Sequence, residues 1–387
     1  MSHITLYRKY RSQRFDELIG QEHIVTTLSN AIEMDRLAHA TIFSGPRGTG
    51  KTSTARILAK SLNCEKGPSV TPCLECGLCK KITHGTSVDV IEIDAASNTG
   101  VDNIRDLNEQ VNFMPVECRT KIYIIDEVHM LSTGAFNALL KTLEEPPAQT
   151  IFILATTEPH KIPVTIHSRC QSLHFRRLKL DEITGHLSNI ATKEGLQIDE
   201  AATRLVAQNS QGCMRDALSL LDQIRSFKGN QITGDDVQMI LGTSNVEALL
   251  EFVQQFLSGD QKGVLQLLKK FSNEGLHVNQ LTQDIANVFR SLIFVQLGLE
   301  SELDFDDIRI ALMKPLAAQV DAARLLALTE AFSRLEMDLR WYPQPDVLLQ
   351  LKTLVLMSAE PGVAPAPRAV APPVQQAPRP APVAQSA

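Results

Sequence analysis

The sequence predicts an α/β domain with a doubly wound parallel sheet, followed by two all-helical regions. Three observations support this class. Short apolar runs alternate with helix-like segments over residues 1–178, a glycine-rich loop joins the first run to a helix, and strand patterns stop after Leu178. Strands that alternate with helices are typical of a parallel sheet. A chain of 387 residues is also too long for a single hydrophobic core.

The strands predicted for this sheet are four apolar runs and one weaker run, at residues 41–44, 88–93, 121–125, 150–155 and 172–175. They define a first domain, 1–178. Amphipathic helices are predicted next at residues 181–194, 200–210, 215–227 and 235–241, which indicates a small helical domain at 179–242. Helical patterns at 246–257 and 322–339 belong to a third region, 243–358. This region is either an independent bundle or an oligomerisation surface.

The segment 359–387 is predicted to be an extended, disordered tail. Its last 27 residues contain eight prolines and no aromatic or acidic residue. Such a composition cannot bury a core. Two interpretations stay open: a tether to another component, and a ragged chain end.

Bulk composition limits the function classes. The net charge of −6 does not indicate a polyanion-binding protein, although residues 1–60 carry nine Lys or Arg against five Asp or Glu. The N-terminus has no signal-peptide core, and no apolar run is long enough to span a bilayer, so we expect a cytoplasmic protein with no membrane partner. Its seven cysteines are then not expected to form disulfides.

A glycine-rich loop follows the first predicted strand and matches the pattern G-x-x-x-x-G-K-[ST]. Its residues are Gly45, Pro46, Arg47, Gly48, Thr49, Gly50, Lys51 and Thr52. Glycines let the backbone curl so that successive N–H groups face phosphate oxygens, and the next helix adds its positive end. Lys51 is expected to bind the outer phosphates of ATP, and Thr52 is expected to bind Mg²⁺. A chance glycine turn is the alternative, which the strand–loop–helix order disfavours.

The third predicted strand ends in two acids, Asp126 and Glu127. In a doubly wound sheet this strand end lies beside the phosphate loop. Asp126 is expected to bind Mg²⁺ through its waters, and Glu127 to orient and polarise a water in line with the γ-phosphate. A nucleotide kinase needs no such base, so the pair favours an ATPase. The alternative is an ordinary solvated strand end.

Four cysteines lie between the first helix of the α/β domain and its second strand. They are Cys64, Cys73, Cys76 and Cys79, spaced by eight, two and two residues. Four thiolates fit a closed, tetrahedral Zn²⁺ site, and Lys66, Lys80 and Lys81 would offset its negative charge. An iron–sulfur cluster and free thiols stay open as alternatives. The other three cysteines are expected to be small buried hydrophobes.

Four segments resemble the gamma/tau subunits of the bacterial DNA polymerase III clamp loader, a family of AAA+ ATPases. They are RKYRSQRFDELIGQEHIV, DEVHMLSTGAFNALLKTLEEPP, LATTEPHKIPVTIHSRCQ and GCMRDALSLLDQ. The resemblance covers about residues 3–358. It implies a AAA+ phosphate-loop domain with an inserted zinc module at 64–79, a helical lid and a helical collar for oligomerisation. Ser12 departs from the family, where proline commonly follows the arginine.

The resemblance also implies roles for three residues near ATP. Thr157 corresponds to the sensor-1 residue, whose hydroxyl contacts the γ-phosphate or the attacking water; a turn or helix-cap residue is the alternative. Arg215 corresponds to sensor 2 on the lid, although its pattern alone indicates a surface helix arginine. Arg169 corresponds to the arginine that enters the ATP site of a neighbouring subunit. No further arginine of the first domain is obviously placed to neutralise the transition state, which favours this role over a solvated charge.

Three residues, Asn98, Thr99 and Gly100, are predicted to form a turn and cap before a helix that begins at Val101. In the family this helix start faces a chamber that holds primer–template DNA. Short polar side chains and backbone N–H groups suit phosphate contacts without base readout. A simple helix cap is the alternative.

The function implied by the resemblance is that of an ATP-driven motor subunit, with ATP, Mg²⁺ and structural Zn²⁺, which places a sliding clamp on primer–template DNA. The implied partners are delta- and delta-prime-type subunits, further copies of the chain, the clamp and DNA, at replication forks in the nucleoid. Nucleotidyl transfer would belong to the polymerase holoenzyme. Two other classes stay open: a non-hydrolysing scaffold subunit and a AAA+ remodeller of the branch-migration type. The sequence does not distinguish a short gamma-like form from a longer tau-like form.

Overall fold

The computed structural model describes residues 4–241, 246–273, 275–303 and 307–358. The chain divides into two compact units, Met1–Ile240 and Leu241–Ala387. The predicted border at 242/243 and the predicted tail at 359–387 lie outside the described residues.

The first unit contains a five-stranded, all-parallel sheet in the order β2-β3-β4-β1-β5. Its strands are β1 (Ala40–Ser44), β2 (Val90–Asp94), β3 (Lys121–Asp126), β4 (Thr150–Thr156) and β5 (Gln171–His174). The central strands β3, β4 and β1 are buried almost throughout, because helices cover both faces of the sheet. The doubly wound α/β class is therefore confirmed, and each strand lies within two residues of its predicted bounds.

The helices of the α/β part are α1 (Leu6–Lys9), α2 (Glu22–Glu33), α3 (Lys51–Asn63), α4 (Gly77–His84), α5 (Val101–Val111), α6 (Thr133–Glu144) and α7 (Val164–His167). All but α1 pack on the two faces of the sheet, whereas α1 packs against the helix at residues 214–228. Along β3, Ile122 and Ile124 belong to the core formed with α2 and α3. Tyr123 and Ile125 point to the opposite core, formed with α5 and α6. This alternation follows from the two-residue period of a strand.

Four helices complete the first unit: α8 (Leu180–Glu194), α9 (Glu200–Asn209), α10 (Met214–Lys228) and α11 (Gly234–Leu241). They match the predicted helices closely. A short parallel pair, β6 (Gln197–Ile198) with β7 (Gln231–Ile232), lies among them. The expectation that strands end after Leu178 is therefore wrong in this detail. Two-residue strands are too short to show an alternating pattern in a sequence.

The second unit is helical in its described residues. Its helices are α12 (Val246–Ser258), α13 (Gln261–Asn273), α14 (Val278–Gln296), α15 (Asp307–Ala318), α16 (Ala322–Leu339) and α17 (Pro345–Ser358). Three aromatic rings form the centre of its core: Phe256, Phe289 and Phe332 lie with centroids 5.6–6.1 Å apart. Among the described helices of the whole chain, none is both long and apolar enough to cross a membrane.

An N-terminal arm, residues 4–19, connects the two parts of the first unit through Glu194 at the end of α8. Glu194 accepts hydrogen bonds from Lys9 Nζ and the Tyr10 hydroxyl, both at 2.5 Å, and from Arg225 Nη1 at 3.0 Å. The side chain of Glu194 is only 7% exposed. Hydrogen bonds from Lys9 and Tyr10 lower the pKa of Glu194 to about 2. The carboxylate therefore holds the arm against α8 and α10.

We expect Glu194→Gln to destabilise the first unit by roughly 2–3 kcal/mol, because a neutral amide leaves two cations without their partner. The folded pKa of Glu194 lies below its ordinary value of 4.5. Its contribution to stability should thus be complete above pH 4.5 and be lost as the pH falls towards 2. Urea unfolding of both proteins at several pH values measures this difference. The exposed Glu33→Gln is the control, and a difference that does not shrink in acid contradicts the assignment.

Candidate nucleotide site and cysteine cluster

The glycine-rich loop leaves the carboxyl end of β1 and enters α3. Its three glycines, Gly45, Gly48 and Gly50, have φ angles of +147°, +71° and +103°. A Cβ at Gly48 would lie 2.0 Å from the Sγ atom of Cys213, just before α10. Only glycine therefore lets the loop and the start of α10 approach so closely. The loop is fixed between the edge of the sheet and the helical part of the unit.

Lys51, at the start of α3, folds back under this loop. Its Nζ donates to the carbonyl oxygens of Gly45 and Pro46, each at 2.8 Å. Burial lowers the pKa of Lys51, and the neighbouring Glu127 and Asp126 oppose that shift. The ammonium group thus lies inside the loop, where an anionic ligand would meet it.

Thr52 and Asp126 come together at the carboxyl end of β3. The Thr52 hydroxyl donates to Asp126 Oδ2 at 2.8 Å, and the Glu127 N–H donates to Asp126 Oδ1 at 2.9 Å. A hydroxyl beside a carboxylate is an oxygen donor set that fits Mg²⁺. The two residues predicted to hold this ion are therefore adjacent.

Glu127 directly follows β3 and adopts a left-handed backbone conformation, with φ at +47°. Its Oε2 accepts a hydrogen bond from the Thr157 hydroxyl at 3.0 Å and lies 3.4 Å from His129 Nδ1. His129 also contacts Thr156 Oγ1 at 3.1 Å and Glu158 Oε2 at 3.0 Å. The structure thus brings the predicted base and the predicted sensor-1 residue into contact. Sequence reasoning missed His129 and Glu158, although the DEVH segment offered a signal for the histidine.

Lys51, Thr52, Asp126 and Glu127 line a cleft of about 1000 Å³, counting space that is open to solvent. The arm contributes Tyr7, Tyr10, Arg11, Ser12, Glu17, Leu18 and Ile19. The loop and strand contribute residues 47–53, Asp126 and Glu127, and the helical part contributes Leu178, His186, Met214, Arg215 and Leu218. Cationic loop residues and acids therefore share one cleft with apolar side chains from the arm and the helical part. This combination suits a ligand with phosphates and an aromatic base.

Three arginines line the cleft: Arg11, Arg47 and Arg215. The Arg215 guanidinium lies 5.1 Å from the centre of the Tyr7 ring, which is a cation–π distance. Two of these arginines, Arg11 and Arg47, belong to the first domain, so that domain does place further arginines beside its own cleft. Arg11 comes from the arm, which only the fold brings back to the loop.

Arg169 is not among the residues that line this cleft. It follows α7, and its guanidinium donates to Glu144 Oε1 at the end of α6 and to the Thr165 carbonyl oxygen. Its side chain is 34% exposed. Arg169 is thus a half-exposed charge that is paired within the chain.

The four predicted metal ligands form one cluster. The Sγ atoms of Cys64, Cys73, Cys76 and Cys79 all lie within 4.8 Å of one another. A tetrahedral zinc site with Zn–S bonds of about 2.3 Å places its sulfurs about 3.8 Å apart, so the four residues fit this ion. Backbone N–H groups of Cys76 and Glu75 lower the pKa of Cys73 to about 6, whereas burial raises the pKa of Cys79.

One of the three lysines predicted to offset the charge of the cluster, Lys81, pairs with both carboxylate oxygens of Glu117, at 2.7 and 2.8 Å. A lysine that sequence reasoning missed, Lys60 on α3, is only 1% exposed. Burial lowers the pKa of Lys60 to about 8, a shift opposed by the nearby Cys79.

The turn at Asn98, Thr99 and Gly100 precedes α5, which begins at Val101 as predicted. Gly100 occupies the N-cap position, and no side chain caps the helix. The Ser132 N–H, just before α6, donates to the Thr99 carbonyl oxygen at 3.2 Å. The first turns of α5 and α6 therefore lie side by side.

An apolar loop, residues 113–116, connects α5 to β3. Phe113, Met114 and Val116 are 69%, 67% and 81% exposed. The Asp89 carboxylate holds the base of this loop, because it accepts hydrogen bonds from the backbone N–H groups of Val116 and Cys118 at 2.8–3.1 Å. Sequence reasoning missed this surface, because exposure of an apolar residue depends on the fold.

Family models match three segments of the chain. Residues 20–179 match "DNA polymerase III, delta subunit", residues 182–227 match "DNA polymerase III clamp loader subunit, ATPase lid domain", and residues 232–364 match "DNA polymerase III subunits gamma and tau domain III". They divide the chain into consecutive α/β, lid and third-domain segments.

Two curated relatives are similar over most of the chain. The tau subunit of DNA polymerase III from Bacillus subtilis is 44% identical over 91% of this chain and 62% of its own length. The gamma subunit from Buchnera aphidicola subsp. Schizaphis graminum is 44% identical over 71% of this chain and 76% of its own length. Among solved structures, the RuvB Holliday junction branch migration motor of Thermotoga maritima covers 64% of this chain and 79% of its own, at 19% identity and a TM-score of 0.47.

Proposed function

The chain belongs to the gamma/tau subunit family of bacterial DNA polymerase III, and we propose that it is an ATP-hydrolysing motor subunit of a clamp loader. The single observation that carries this proposal is the cleft, where Lys51, Asp126, Glu127 and Arg215 converge. A scaffold subunit without hydrolysis has no need of this combination. The chain spans 62% of the length of the tau relative from Bacillus subtilis, so the proposal concerns the part that is present here.

In the proposed reaction, the loop residues 45–52 bind the phosphates of ATP and Lys51 neutralises their charge. Thr52 and Asp126 would hold Mg²⁺, which would offset the negative charge that develops on the phosphates. Glu127 orients the attacking water and accepts its proton. The 3.0 Å hydrogen bond between Thr157 and Glu127 supports a shared position for these two groups beside the γ-phosphate. Arg215 approaches from the lid, so that lid position responds to the nucleotide.

DNA contact is proposed at the paired starts of α5 and α6. Two helix N-termini that lie side by side offer free N–H groups and positive dipole ends to phosphates. Asn98, Thr99 and Gly100 lie at the first of them, and Ser132 at the second. Such contacts carry no base readout, so binding should be independent of sequence and sensitive to salt.

The sliding clamp is proposed to contact the apolar loop at residues 113–116. Three exposed apolar side chains within four residues, on a loop fixed by Asp89, are typical of a protein-binding surface. The proposed partners also include delta- and delta-prime-type subunits and further copies of the chain. In this assembly Zn²⁺ would be held by the four cysteines and would have a structural role, since four thiolates would leave no position for a substrate.

Steady-state ATP hydrolysis, measured with and without a clamp and primed DNA, tests this function. A motor subunit, assembled with its partners, should hydrolyse ATP faster when both are present. A scaffold subunit should show no hydrolysis, and a branch-migration motor should unwind DNA without any need for the clamp. Either result contradicts the proposal.

Lys51→Ala and Glu127→Gln should separate binding from hydrolysis. Lys51→Ala removes a charged contact with the phosphates, worth about 1.5–3 kcal/mol, and should weaken ATP binding roughly 10- to 100-fold. Glu127→Gln should leave affinity nearly unchanged and slow hydrolysis roughly 10²-fold or more, because an amide cannot accept the proton. Equilibrium binding and single-turnover hydrolysis measure the two effects. The control is Glu200→Gln, at an exposed position of α9. Hydrolysis by Glu127→Gln at the wild-type rate would rule out Glu127 as the general base.

Arg169→Ala should act on a neighbouring subunit. Arg169 lies outside the cleft of its own chain, so its loss should spare ATP binding there. If Arg169 enters the ATP site of the next subunit, its loss should slow hydrolysis at that site by up to roughly 10³-fold. This factor is the lower end of the range for arginines that act in trans. Mixed assemblies with one variant subunit locate the effect, with Arg204→Ala on α9 as the control. A loss confined to the variant's own site contradicts action on the neighbour.

Residues 243–358 are proposed to form the oligomerisation collar. Leu351 and Val355, one turn apart on α17, are 54% and 63% exposed, and Trp341 is 90% exposed. We expect a chain shortened to residues 1–241 to be folded and monomeric at micromolar concentration. Leu351→Glu with Val355→Glu should weaken assembly of the full chain without unfolding it. Light scattering and circular dichroism measure mass and folding; assembly of the shortened chain with its partners would refute the collar.

A further inference from the structure

A half-buried glutamine of the arm, Gln13, joins the cysteine cluster to the nucleotide cleft. Its Oε1 accepts hydrogen bonds from Lys60 Nζ on α3 at 2.7 Å and from the Thr83 hydroxyl on α4 at 3.3 Å. The Lys60 ammonium also donates to the Gln13 carbonyl oxygen at 2.9 Å. One side chain therefore contacts both helices and the arm at once.

The two helices carry metal ligands one turn away from these contacts. Cys64 follows α3, four residues after Lys60, and its N–H donates to the Lys60 carbonyl oxygen. Cys79 lies in α4, four residues before Thr83. A metal that binds both cysteines fixes the spacing of α3 and α4, and it does so next to the place where Gln13 lies between them.

On its other side Gln13 fixes the part of the arm that lines the cleft. Its Nε2 donates to the Arg11 carbonyl oxygen at 2.8 Å, and its N–H donates to Glu17 Oε2 at 2.6 Å. The Ser12 hydroxyl donates to the Glu17 carbonyl oxygen at 3.2 Å. Arg11, Ser12 and Glu17 all line the cleft. The position of this wall therefore depends on how Gln13 is held.

Lys60 is the reason why this junction should be stiff. A buried ammonium group needs all of its hydrogen-bond partners, because an unsatisfied buried charge is strongly unfavourable. Gln13 supplies two of these partners. A shift of α3 against the arm would break both contacts, so the arm should move with the helix.

We propose that Gln13 couples the cysteine cluster to the nucleotide cleft, so that metal binding and adenine-nucleotide binding favour each other. This inference rests on the proposed nucleotide site. Gln13 is a positioning residue: it holds the arm against α3 and α4 and does not itself line the cleft. Thermodynamic linkage requires the two ligands to raise each other's affinity by the same factor, and typical couplings are roughly 5- to 150-fold.

Zinc affinity of the metal-loaded chain tests the coupling without hydrolysis. A colorimetric chelator competes for zinc in the presence or absence of a non-hydrolysable ATP analogue with Mg²⁺, and free zinc with the same analogue corrects for direct binding. We expect the analogue to tighten zinc binding at least fivefold in the wild type. In Gln13→Leu, which keeps the size of the side chain, the effect should fall below twofold.

Two matched variants identify the contact that transmits the effect. Gln13→Glu keeps the acceptor for Lys60 and Thr83 but loses the Nε2 donor to the Arg11 carbonyl oxygen, so the coupling should be reduced, though less than in Gln13→Leu. Thr83→Val should reduce the coupling, whereas Thr83→Ser, which keeps the hydroxyl, should restore it. Thermal unfolding of each zinc-loaded variant checks that the fold is intact. If a Gln13 variant fails to fold, the comparison of Thr83→Val with Thr83→Ser decides; if a Thr83 variant fails, the comparison of Gln13→Leu with Gln13→Glu decides.

Different results separate this inference from the proposed function. Nucleotide binding that leaves zinc affinity unchanged in the wild type, or changes it equally in Gln13→Leu, overturns the coupling alone. Absence of nucleotide binding to the loaded wild type overturns both the coupling and the proposed ATP site.

Discussion

The register of three neighbouring parallel strands determines the site. Strand β4 lies between β1 and β3, with Ser44 opposite Thr156 and Ile125 opposite Leu154. The phosphate loop, the acid pair and Thr157 all follow these strands directly, so they leave the same edge of the sheet within a few ångströms of one another. Because side chains alternate between faces, a slip of one residue would turn Asp126 or Thr156 to the wrong side. The apolar residues that fix this register therefore also fix the chemistry.

Buried cations constrain the same region. Lys51 and Lys60 lie nine residues apart on α3 and are 6% and 1% exposed. Each ammonium group donates hydrogen bonds to backbone carbonyl oxygens: Lys51 to those of the phosphate loop and Lys60 to that of Gln13. Desolvation of a lysine is unfavourable by several kcal/mol unless such partners are present. The helix that presents the loop to phosphates is thereby tied at one end to the loop and at the other to the arm.

Sequence patterns predicted the sheet, its bounds and the residues around the phosphate loop, because these signals are local. The loop and the acid pair are contiguous motifs, and strands buried on both faces are continuous apolar runs. Contacts between distant segments were not predictable in this way. Arg11 reaches the cleft, and Glu194 receives Lys9 and Tyr10, only because the arm folds back across α8 and α10. The strands β6 and β7 were missed since two residues show no period, and His129 was missed although it lies two residues after Glu127 in the DEVH segment.

Two groups with proposed roles in hydrolysis are engaged elsewhere in the single chain. Glu127 accepts a hydrogen bond from Thr157, and Arg169 pairs with Glu144. Neither contact is strong enough to prevent these residues from taking part in hydrolysis. A neutral donor to a carboxylate contributes roughly 1–3 kcal/mol, and a half-exposed ion pair roughly 0–1 kcal/mol. Under the proposed function, a γ-phosphate beside Thr157 or a neighbouring subunit beside Arg169 would offer charges of higher density in a site with less water, where electrostatic interactions are stronger. Exchange of these weak contacts for stronger ones gives a physical reason why ATP and assembly, rather than a new fold, would bring such a site into its reactive arrangement.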